Sequence, residues 1–345
     1  MDRSRVLAYT MIDTALTKGL RDIQDNLYRG LRNLVDLGSY FARDQEQRGF
    51  FRKAHARLKD SRSSYFPMAK HVLNTTDHRI LKRVTINLGY NGGIYGARII
   101  RQNAASTGYA LPPSLLFNFQ GQLLPLPLLE QVITAGEEQG IYSSLLWVEA
   151  KPRELEDLVL TLQDFSDHAF FLFSSPTSIT PTLAALVRRA QNIALVLPYS
   201  VETHGQCLRA AKVLLENKCL FGTSVSYDNN SLSTILDPNL QKQLRIIQGS
   251  FACFQREGNL GPLSRIALEE FLDQARSSRG SSIFLVDLRQ DLENLAHKLH
   301  PQTQYFTIDH SGNIGKAWAN TKLGGLNIKS HSLPAIAQAV ASYPK

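Results

Sequence analysis

The stretch Pro113-Ser-Leu-Leu-Phe-Asn-Phe-Gln-Gly-Gln-Leu-Leu-Pro125, followed by Leu126–Gln139 and Ser143–Val148, decides the fold of this chain. Its short apolar run Ser114–Asn118 is typical of a buried strand, and the next segment has helical periodicity. Ser143–Val148 is again an apolar run of strand length. A strand, a helix-length segment and another strand predict a βαβ unit, in which the two strands run parallel.

The same alternation continues along the chain. Further short apolar runs predict strands at Ala169–Phe173, Ile193–Leu197, Phe221–Ser226, Ile283–Leu288 and Tyr305–Ile308. Segments with helical periodicity predict helices at Glu154–Gln163, Thr182–Gln191, Gln206–Asn217, Leu232–Gln248 and Ser264–Ser277. This order predicts an α/β fold with a parallel sheet, most economically a barrel or partial barrel. Ligands bind at the carboxyl ends of the strands in such folds, so residues that follow a strand are the candidate site residues.

The first part of the chain, residues 5–58, has a helical pattern instead. One apolar stripe recurs at spacings of three and four residues and consists of Leu16, Leu20, Ile23, Leu27, Leu31 and Leu34. Gly19, Gly30 and Gly38 interrupt this segment, which predicts two or three short helices in place of one long helix. The stripe has to be buried against its own domain, a second copy or a partner. Ser61–Pro67 is predicted as a loop after this helical region.

Composition places the chain among globular proteins: 345 residues, of which 43% are hydrophobic and 20% charged. No apolar run approaches the roughly 18 residues that span a bilayer. The first residues lack the apolar core of a signal peptide. The chain is therefore predicted to be cytoplasmic.

The positive charge is concentrated in one segment. Arg48–Arg83 contains ten basic residues against two acidic ones, Asp60 and Asp77, and so carries the whole net charge of +8. Such a segment suits an anionic membrane surface, for attachment to the inner face of the membrane, or an acidic protein partner. A solvated helical face explains the same charges. Nucleic acid is disfavoured, because Phe50 and Phe51 suit a core as well as a stacking platform.

Three cysteines occur, at Cys207, Cys219 and Cys253. Their spacings match neither a zinc site nor an iron-sulfur motif, and an odd number argues against a disulfide framework. Buried thiols in a reducing compartment account for them. No metal ion and no other cofactor is predicted.

Three segments carry a resemblance to a known family. Gly89–Arg98, Ala105–Pro113 and Leu124–Tyr142 resemble the lead-in and the following helix of radical S-adenosylmethionine (SAM) proteins related to hopanoid-modifying enzymes. Those proteins carry a C-x-x-x-C-x-x-C loop between these segments, whereas residues 115–124 contain no cysteine. Three thiolates hold the cluster and leave its fourth iron for SAM. The resemblance therefore implies a degenerate member without the cluster loop.

The resemblance also implies the architecture. It predicts a partial (β/α)6 TIM-like barrel of the radical SAM type with an N-terminal helical appendage. The segment Tyr305–Ile314 looks like the family's C-terminal hairpin, although Gly315–Ala317 replaces the Glu-Pro-Cys that follows it. The predicted regions are a helical N-terminal region over 1–66, a helical lead-in over 67–111, the barrel over 112–300, and a hairpin and helix over 301–345.

The strand ends retain little of the family's SAM site. Trp147–Pro152 stands where the family has the Gly-Gly-Glu-Pro turn that holds the SAM amino group, and it keeps only the proline. Tyr199–Thr203 is similar to the Ser-Val-Glu-Gly that faces the ribose. The resemblance therefore implies that Ser200, Glu202 and Asn229 are a vestigial site for the nucleoside end of SAM. Ordinary strand-end and capping roles explain these three residues equally well.

Other enzyme classes lack support. There is no G-x-S-x-G, H-E-x-x-H, P-loop or strand-borne G-x-G-x-x-G motif, and the glycine-rich segment Tyr90–Gly96 is predicted to form a turn. Six residues near strand ends have side chains suited to acid-base chemistry, but no spacing pairs them: Glu149, Lys151, Glu202, His204, Asp228 and His310.

Two hypotheses remain for the function. The first is a catalytically inactive pseudoenzyme that scaffolds, stabilises or regulates an active radical SAM homologue or pathway partner; it predicts an apolar association surface, the stripe at residues 16–34. The second is a cluster-independent enzyme, or a protein that binds a nucleoside-like or SAM-like small molecule at the barrel mouth. It predicts an open polar pocket that contains Glu202.

Overall fold

A computed structural model of the chain describes residues 3–42, 44–277, 282–318 and 321–343. The chain opens with a series of helices that leads to the first strand. They are α1 (Arg3–Asp25), α2 (Leu27–Phe41), α3 (Gln45–Lys59), α4 (Tyr65–Thr75), α5 (His78–Thr85), a π-helix (Ile86–Gly96) and α6 (Ala97–Thr107). Because α4 begins at Tyr65, the predicted loop Ser61–Pro67 is shorter than expected.

The breaks between the first helices are set by capping residues. The Asn26 side chain accepts a hydrogen bond from the Arg29 backbone N–H and begins α2. Asp44 begins α3 through a capping box with Gln47. Three helices cover residues 3–59, which confirms the prediction of two or three short helices. The prediction that glycines separate these helices is wrong, because no break lies at a glycine.

The three glycines instead let the helices approach each other. A Cβ on Gly19 would come within 2.3 Å of the Leu34 side chain, and one on Gly38 within 2.2 Å of the Phe51 ring. At Gly30 it would lie 2.5 Å from the Ile23 side chain. Each glycine lies inside a helix, where only a missing side chain permits this close packing.

The apolar stripe of residues 16–34 is used inside the chain. All six of its residues are buried or half-buried. Leu16 packs with Ile86 and Tyr90 of the π-helix, and Leu34 packs at the edge of the same cluster. Such contacts already remove the stripe's apolar area from water. Leu16 and Leu34 are therefore not available for association, whereas Leu27 lines a surface pocket, and the stripe as an association surface stays a prediction.

The π-helix occupies the glycine-rich segment for which a turn was predicted. The buried Asn87 side chain donates to the carbonyl groups of Ser166 and His168, and Asn91 donates to that of Asp167. These bonds tie the π-helix to the loop before β3. A turn is wrong here because the asparagine side chains fix a continuous helical backbone, and π-helices are rare and often lie at functional sites.

The described residues form one ten-stranded sheet in the order β10-β9-β8-β1-β2-β3-β4-β5-β6-β7. The strands are β1 (Leu115–Phe119), β2 (Ser143–Val148), β3 (Ala169–Ser174), β4 (Ile193–Pro198), β5 (Phe221–Tyr227), β6 (Phe251–Arg256), β7 (Phe284–Asp287), β8 (Phe306–Asp309), β9 (Asn313–Lys316) and β10 (Thr321–Asn327). Strands β1 to β7 are parallel, and β8 joins β1 in parallel. Strands β9 and β10 continue as an antiparallel hairpin.

Helices follow the parallel strands in the predicted alternation. They are α7 (Leu126–Glu138), α8 (Pro152–Leu162), α9 (Pro181–Ala190), α10 (His204–Glu216), α11 (Leu232–Leu236), α12 (Pro238–Ile247), α13 (Pro262–Ser277), α14 (Leu288–Leu299) and, after the hairpin, α15 (Leu333–Ala341). A short 3-10 helix, Pro176–Ser178, follows β3. The α/β class, the TIM-like partial barrel and the helical appendage are confirmed. Each predicted strand agrees with an observed one to within one residue at either end.

Three elements differ from the prediction. Strand β6 and helix α14 were not predicted, and Leu232–Gln248 is two helices and not one. Asp237 ends α11 and accepts a hydrogen bond from the Asn239 backbone N–H at the start of α12. Pro238 cannot continue a helix but suits the first position of a new one.

The sheet has two apolar faces because side chains alternate along each strand. Phe117, Phe119 and Leu146 point into the main core with the surrounding helices. Leu116, Leu145 and Phe173 point to the concave side, where Leu288 and Ala296 of α14 pack against them. Helix α14 therefore fills part of the barrel interior.

Two further predictions concern the chain as a whole. The boundary predicted between residues 66 and 67 lies inside α4. The division into four regions stays a prediction. Among the described residues, no helix combines the length and apolar character needed to cross a membrane.

Candidate functional site

A cavity of about 590 Å³ lies at the carboxyl ends of the strands. Strands β1, β2, β5 and β6 form one side of it, and β8 to β10 with the start of α14 form the other. The lining side chains that matter for chemistry are Asn118, Trp147, Gln255, Arg256, Glu257, Arg289, Asp309, Trp318 and Lys322. The cavity thus combines two arginines with amide and indole groups, at the place where this fold class binds ligands.

Trp147 closes another part of the mouth. Its ring stacks on Phe173, with centroids 4.6 Å apart and an interplanar angle of 16°. Its Nε1 donates a 2.9 Å hydrogen bond to Gln255 Oε1. Strands β3, β4 and β5 separate β2 from β6 in the sheet, so this bond crosses the concave side of the barrel. Side chains of the chain itself therefore occupy the space beside β2 and β3.

Arg256, at the end of β6, is the most unusual group of the cavity. It is only 8% exposed, and its Nε has no hydrogen-bond partner among the described residues. Burial, together with the positive charge of Arg289, lowers the pKa of Arg256 below its usual range. The nearby Asp287 opposes this change, but it forms no ion pair with Arg256 within the described part of the chain.

Two neighbours complete the polar wall. Arg289 donates from Nε to Glu293 at 2.9 Å and from Nη1 to the Gly258 carbonyl at 3.1 Å. Asn118 Oδ1 is buried and accepts no hydrogen bond from a described residue. Glu257, Asp309 and Lys322 also line the cavity, and Lys322 pairs with Asp309 at 3.1 Å. Three basic residues therefore face two acidic ones, and the excess charge of the lining is positive.

The three residues predicted for the nucleoside end of SAM do not line this cavity. The Ser200 backbone N–H donates to Thr203 Oγ1 at 2.8 Å, which forms a local turn before α10. Glu202 is exposed, and a hydrogen bond from Ser200 lowers its pKa. Asn229 Oδ1 accepts a 2.9 Å hydrogen bond from Ser264 Oγ in the first turn of α13. A nucleoside site at these residues stays a prediction.

The six residues noted for acid-base chemistry lie elsewhere too. Glu149, Lys151, Glu202, His204, Asp228 and His310 are all absent from the lining of the cavity. Asp228, for example, accepts hydrogen bonds from the backbone and side chain of Ser231 and so organises the turn after β5. The structure therefore does not bring these residues together at the mouth cavity.

The residues after β1 do not suit an iron-sulfur cluster. Residues 120–125, between β1 and α7, offer glutamine side chains but no thiol or imidazole. The three cysteines are buried on other elements, and burial raises the pKa of Cys219 and Cys253 to about 12. Cluster ligands are thiolates, which such burial disfavours. Within the described residues, no group of three or more His, Cys, Asp or Glu side chains is placed to hold a metal ion.

A second cavity of about 660 Å³ lies in the helical N-terminal region. Leu7, Met11 and Tyr40 line it and are 65%, 47% and 75% exposed. Arg101 lies in its wall and forms a 2.6 Å ion pair with Asp44. We call this cavity the N-terminal groove. It places large apolar side chains in contact with water, which is unusual on a protein surface unless a partner covers them.

Helix α3 carries the exposed part of the positive charge. Arg48, Arg52 and Lys53 are exposed and form no ion pair with the described residues, and Phe50 beside them is 67% exposed. Farther along the basic segment, Arg62 and Arg79 pair with Asp60 and Asp77. The charge predicted for an anionic surface is therefore available mainly on α3.

Comparison with known proteins identifies the fold. Neither a known protein family nor a curated protein sequence matches this chain. The crystal structure of Streptococcus suis SuiB matches 73% of each chain at 11% identity, with a TM-score of 0.54. SuiB bound to S-adenosylmethionine gives 0.53 with the same identity and coverage. SuiB bound to precursor peptide SuiA gives 0.51 at 10% identity, over 73% of this chain and 72% of that one. The chain therefore has a radical-SAM-like fold.

Proposed function

We propose that this chain is a catalytically silent relative of the radical SAM enzymes that acts through binding. It scaffolds, stabilises or regulates an active radical SAM homologue or another enzyme of the same pathway. The observation that carries this proposal is the loop after β1, where residues 120–125 offer no thiolate while all three cysteines are buried elsewhere. The relation to the hopanoid-modifying branch belongs to the same proposal.

Iron analysis tests the loss of the cluster. After anaerobic reconstitution with iron and sulfide, the protein should hold far less than one cluster per chain and show no charge-transfer band. Cys253→Ala serves as the control, because a buried thiol that binds no iron can be removed without changing the iron content. One cluster per chain that disappears in this variant would overturn the proposal.

The partner is proposed to bind in the N-terminal groove. An apolar segment of a protein would cover Leu7, Met11 and Tyr40, and their burial would supply the free energy of association. The structure of SuiB with its precursor peptide supports a peptide-binding role for this fold by analogy only. The groove takes the place of the stripe at residues 16–34 as the proposed docking surface, because side chains of the stripe are packed inside the chain.

A pull-down from the native host tests the groove. The wild-type protein should retain a radical SAM homologue or a pathway enzyme, and the variant Leu7→Ser/Met11→Ser should lose it. Leu263→Ser is the matched control, since Leu263 is a leucine on α13 that is 82% exposed. Equal capture by all three proteins would exclude the groove as the docking surface.

Attachment to an anionic membrane is a second candidate, favoured by the exposed basic face of α3. Phe50 would enter the headgroup region while Arg48, Arg52 and Lys53 contact anionic lipids. Flotation with anionic vesicles at low salt should recover the protein, and high salt should release it. Replacement of the three basic residues by glutamine should abolish flotation; recovery with neutral vesicles would contradict an electrostatic mode.

Binding of a small molecule at the barrel mouth is a third candidate. The observation that favours it is the polar cavity of about 590 Å³ at the strand ends. Because Ser200, Glu202 and Asn229 lie outside this cavity, a nucleoside held by them would need a separate site. The chemistry of the cavity itself points to a different ligand class.

A further inference from the structure

We infer that the cavity at the strand ends binds a small organic anion, whose carboxylate or phosphate group lies between Arg256 and Arg289. This inference rests on the third candidate function, ligand binding at the mouth, and is independent of the proposed partner. No cluster, SAM or nucleoside site is part of it.

The buried charge of Arg256 is the first argument. Arg256 is only 8% exposed to water, and its Nε lacks a hydrogen-bond acceptor within the described chain. A buried charge without a partner costs several kcal/mol, and in proteins such groups are normally paired. An anion in the cavity would supply a counter-charge for the guanidinium.

The internal counter-charge is incomplete. Asp287 is the acidic group that most opposes the lowering of the Arg256 pKa, and it is 4% exposed. Its Oδ1 already accepts the Gln290 backbone N–H at 3.1 Å, where it begins α14. No ion pair joins the two side chains among the described residues. Asp287 therefore moderates the positive charge without satisfying the guanidinium.

The second arginine strengthens the argument. Arg289 lines the same cavity and acts on Arg256 as a like charge. Glu293 and the Gly258 carbonyl hold its Nε and Nη1, which orients the guanidinium at the rim. Glu293 pairs with Arg289 at 2.9 Å, yet Arg289 still acts on Arg256 as a like charge, and an anion between the two arginines would relieve this repulsion. Arginine forks suit carboxylate and phosphate oxygens in particular.

The remaining wall defines the class of ligand. A cavity of about 590 Å³ accommodates a small organic molecule. Trp147 and Trp318 provide indole surfaces for a flat or apolar part. Asn118 also lines the cavity, so its amide can form a hydrogen bond with a hydroxyl or amino group on the ligand. The expected ligand therefore combines an oxyanion, a hydrogen-bond donor and a flat apolar body.

Calorimetric titration of the full chain tests the inference with two probes, inorganic phosphate and 4-hydroxybenzoate. Sodium chloride at matched ionic strength is the reference. At least one probe should bind saturably, and the probe that binds identifies phosphate or carboxylate as the preferred group. Arg256→Gln should weaken that binding about 10- to 100-fold, as expected for the loss of charge-assisted hydrogen bonds. Arg245→Gln, at an exposed arginine on α12, should leave it unchanged.

A second variant separates a binding defect from a folding defect. Arg256→Met removes the buried charge and keeps an apolar stem, so the ligand-free protein should be at least as stable as the wild type. Wild-type protein with the probe should gain thermal stability, and Arg256→Met should gain none. Absence of saturable binding with both probes, or equal binding by Arg256→Gln, would overturn the inference. The iron content and the pull-down would be unaffected by either result, so the other proposals are tested separately.

Discussion

The two halves of the barrel mouth differ in how their polar groups are satisfied. On the β2 to β4 side, Trp147 stacks on Phe173 and bonds to Gln255, and Ser200 pairs with Thr203. On the side of β6, α14 and the hairpin, Arg256 lacks a partner at Nε beside an open cavity. Side chains of the chain itself thus close the half beside β2 to β4, while the half at β6 is open to the cavity, which Trp147 and Gln255 also line.

The difference places the unsatisfied polar groups of the mouth at the open cavity. Replacement of a buried arginine by an apolar residue often costs nothing or increases stability. The chain instead has Arg256 with Arg289 at the same cavity. A costly charge at this cavity is the reason to assign binding to the open half.

The largest expected effect comes from opening the closed half. Trp147→Ala removes the stack on Phe173 and the bond to Gln255, and should lower the free energy of unfolding by about 3 kcal/mol. Urea denaturation monitored by circular dichroism measures this loss. Trp147→Phe keeps a stacked ring and loses only the hydrogen bond, so its cost should be about 1 kcal/mol.

The same two variants can show that the β2 to β4 half of the mouth is not closed by a structural side chain. If Trp147→Ala costs no more than Trp147→Phe, the indole is a removable lid and not a structural part of the mouth. SAM affinity should also stay undetectable in Trp147→Ala, because the added space brings neither iron nor an amino-group turn.

The intermediate effect concerns the charge balance of the open half. Burial raises the pKa of Asp287, and Gln290, Arg256, Asp291 and Glu293 act on it as well. Asp287 therefore stabilises the folded protein at pH values below its pKa in the unfolded chain. This contribution is lost as the pH rises through the pKa that Asp287 has in the folded protein. Asp287→Asn keeps a capping side chain, so its stability relative to wild type should increase between pH 4 and pH 7.

Anion binding gives the second measurement for this variant. Removal of one negative charge near Arg256 should tighten sulfate binding about fivefold at pH 7, or about 1 kcal/mol. Sulfate stays ionised through this range, so wild-type binding should tighten as pH falls and Asp287 gains its proton. A pH dependence that persists unchanged in Asp287→Asn would show that another group controls the site.

The sequence predicts the β1 to β5 frame well because each of those strands is a clear apolar run between helix-length segments. Strand β6 escapes prediction because Phe251–Arg256 combines a short apolar run with a polar end and directly follows a helix. Because no strand was predicted there, Gln255 and Arg256 were not recognised as strand-end residues. The sequence analysis therefore did not find the cavity that they line. A search for charged residues that directly follow every short apolar run would have found Arg256.

The contacts of the N-terminal stripe were also beyond prediction. A spacing of three and four residues shows that Leu16 and Leu34 share a helical face, but not what covers that face. The cover is the π-helix, whose formation depends on bonds from Asn87 and Asn91 to the distant loop before β3. Long-range polar contacts of this kind leave no periodic signal in the sequence.

The smallest effects are expected at the residues predicted for a nucleoside, which lie outside the open cavity. Asn229→Ala loses an acceptor for Ser264 Oγ and should cost about 0.5–1 kcal/mol in unfolding free energy. Glu202→Ala, at an exposed side chain, should leave both the denaturation midpoint and the thermal transition unchanged. Calorimetry with SAM should give no saturable heat for wild type or for either variant, because the strand-end groups already bond to one another. Micromolar SAM binding that Glu202→Ala abolishes would reverse the comparison: the closed half would then be the ligand site, and the open cavity would have to be explained without it.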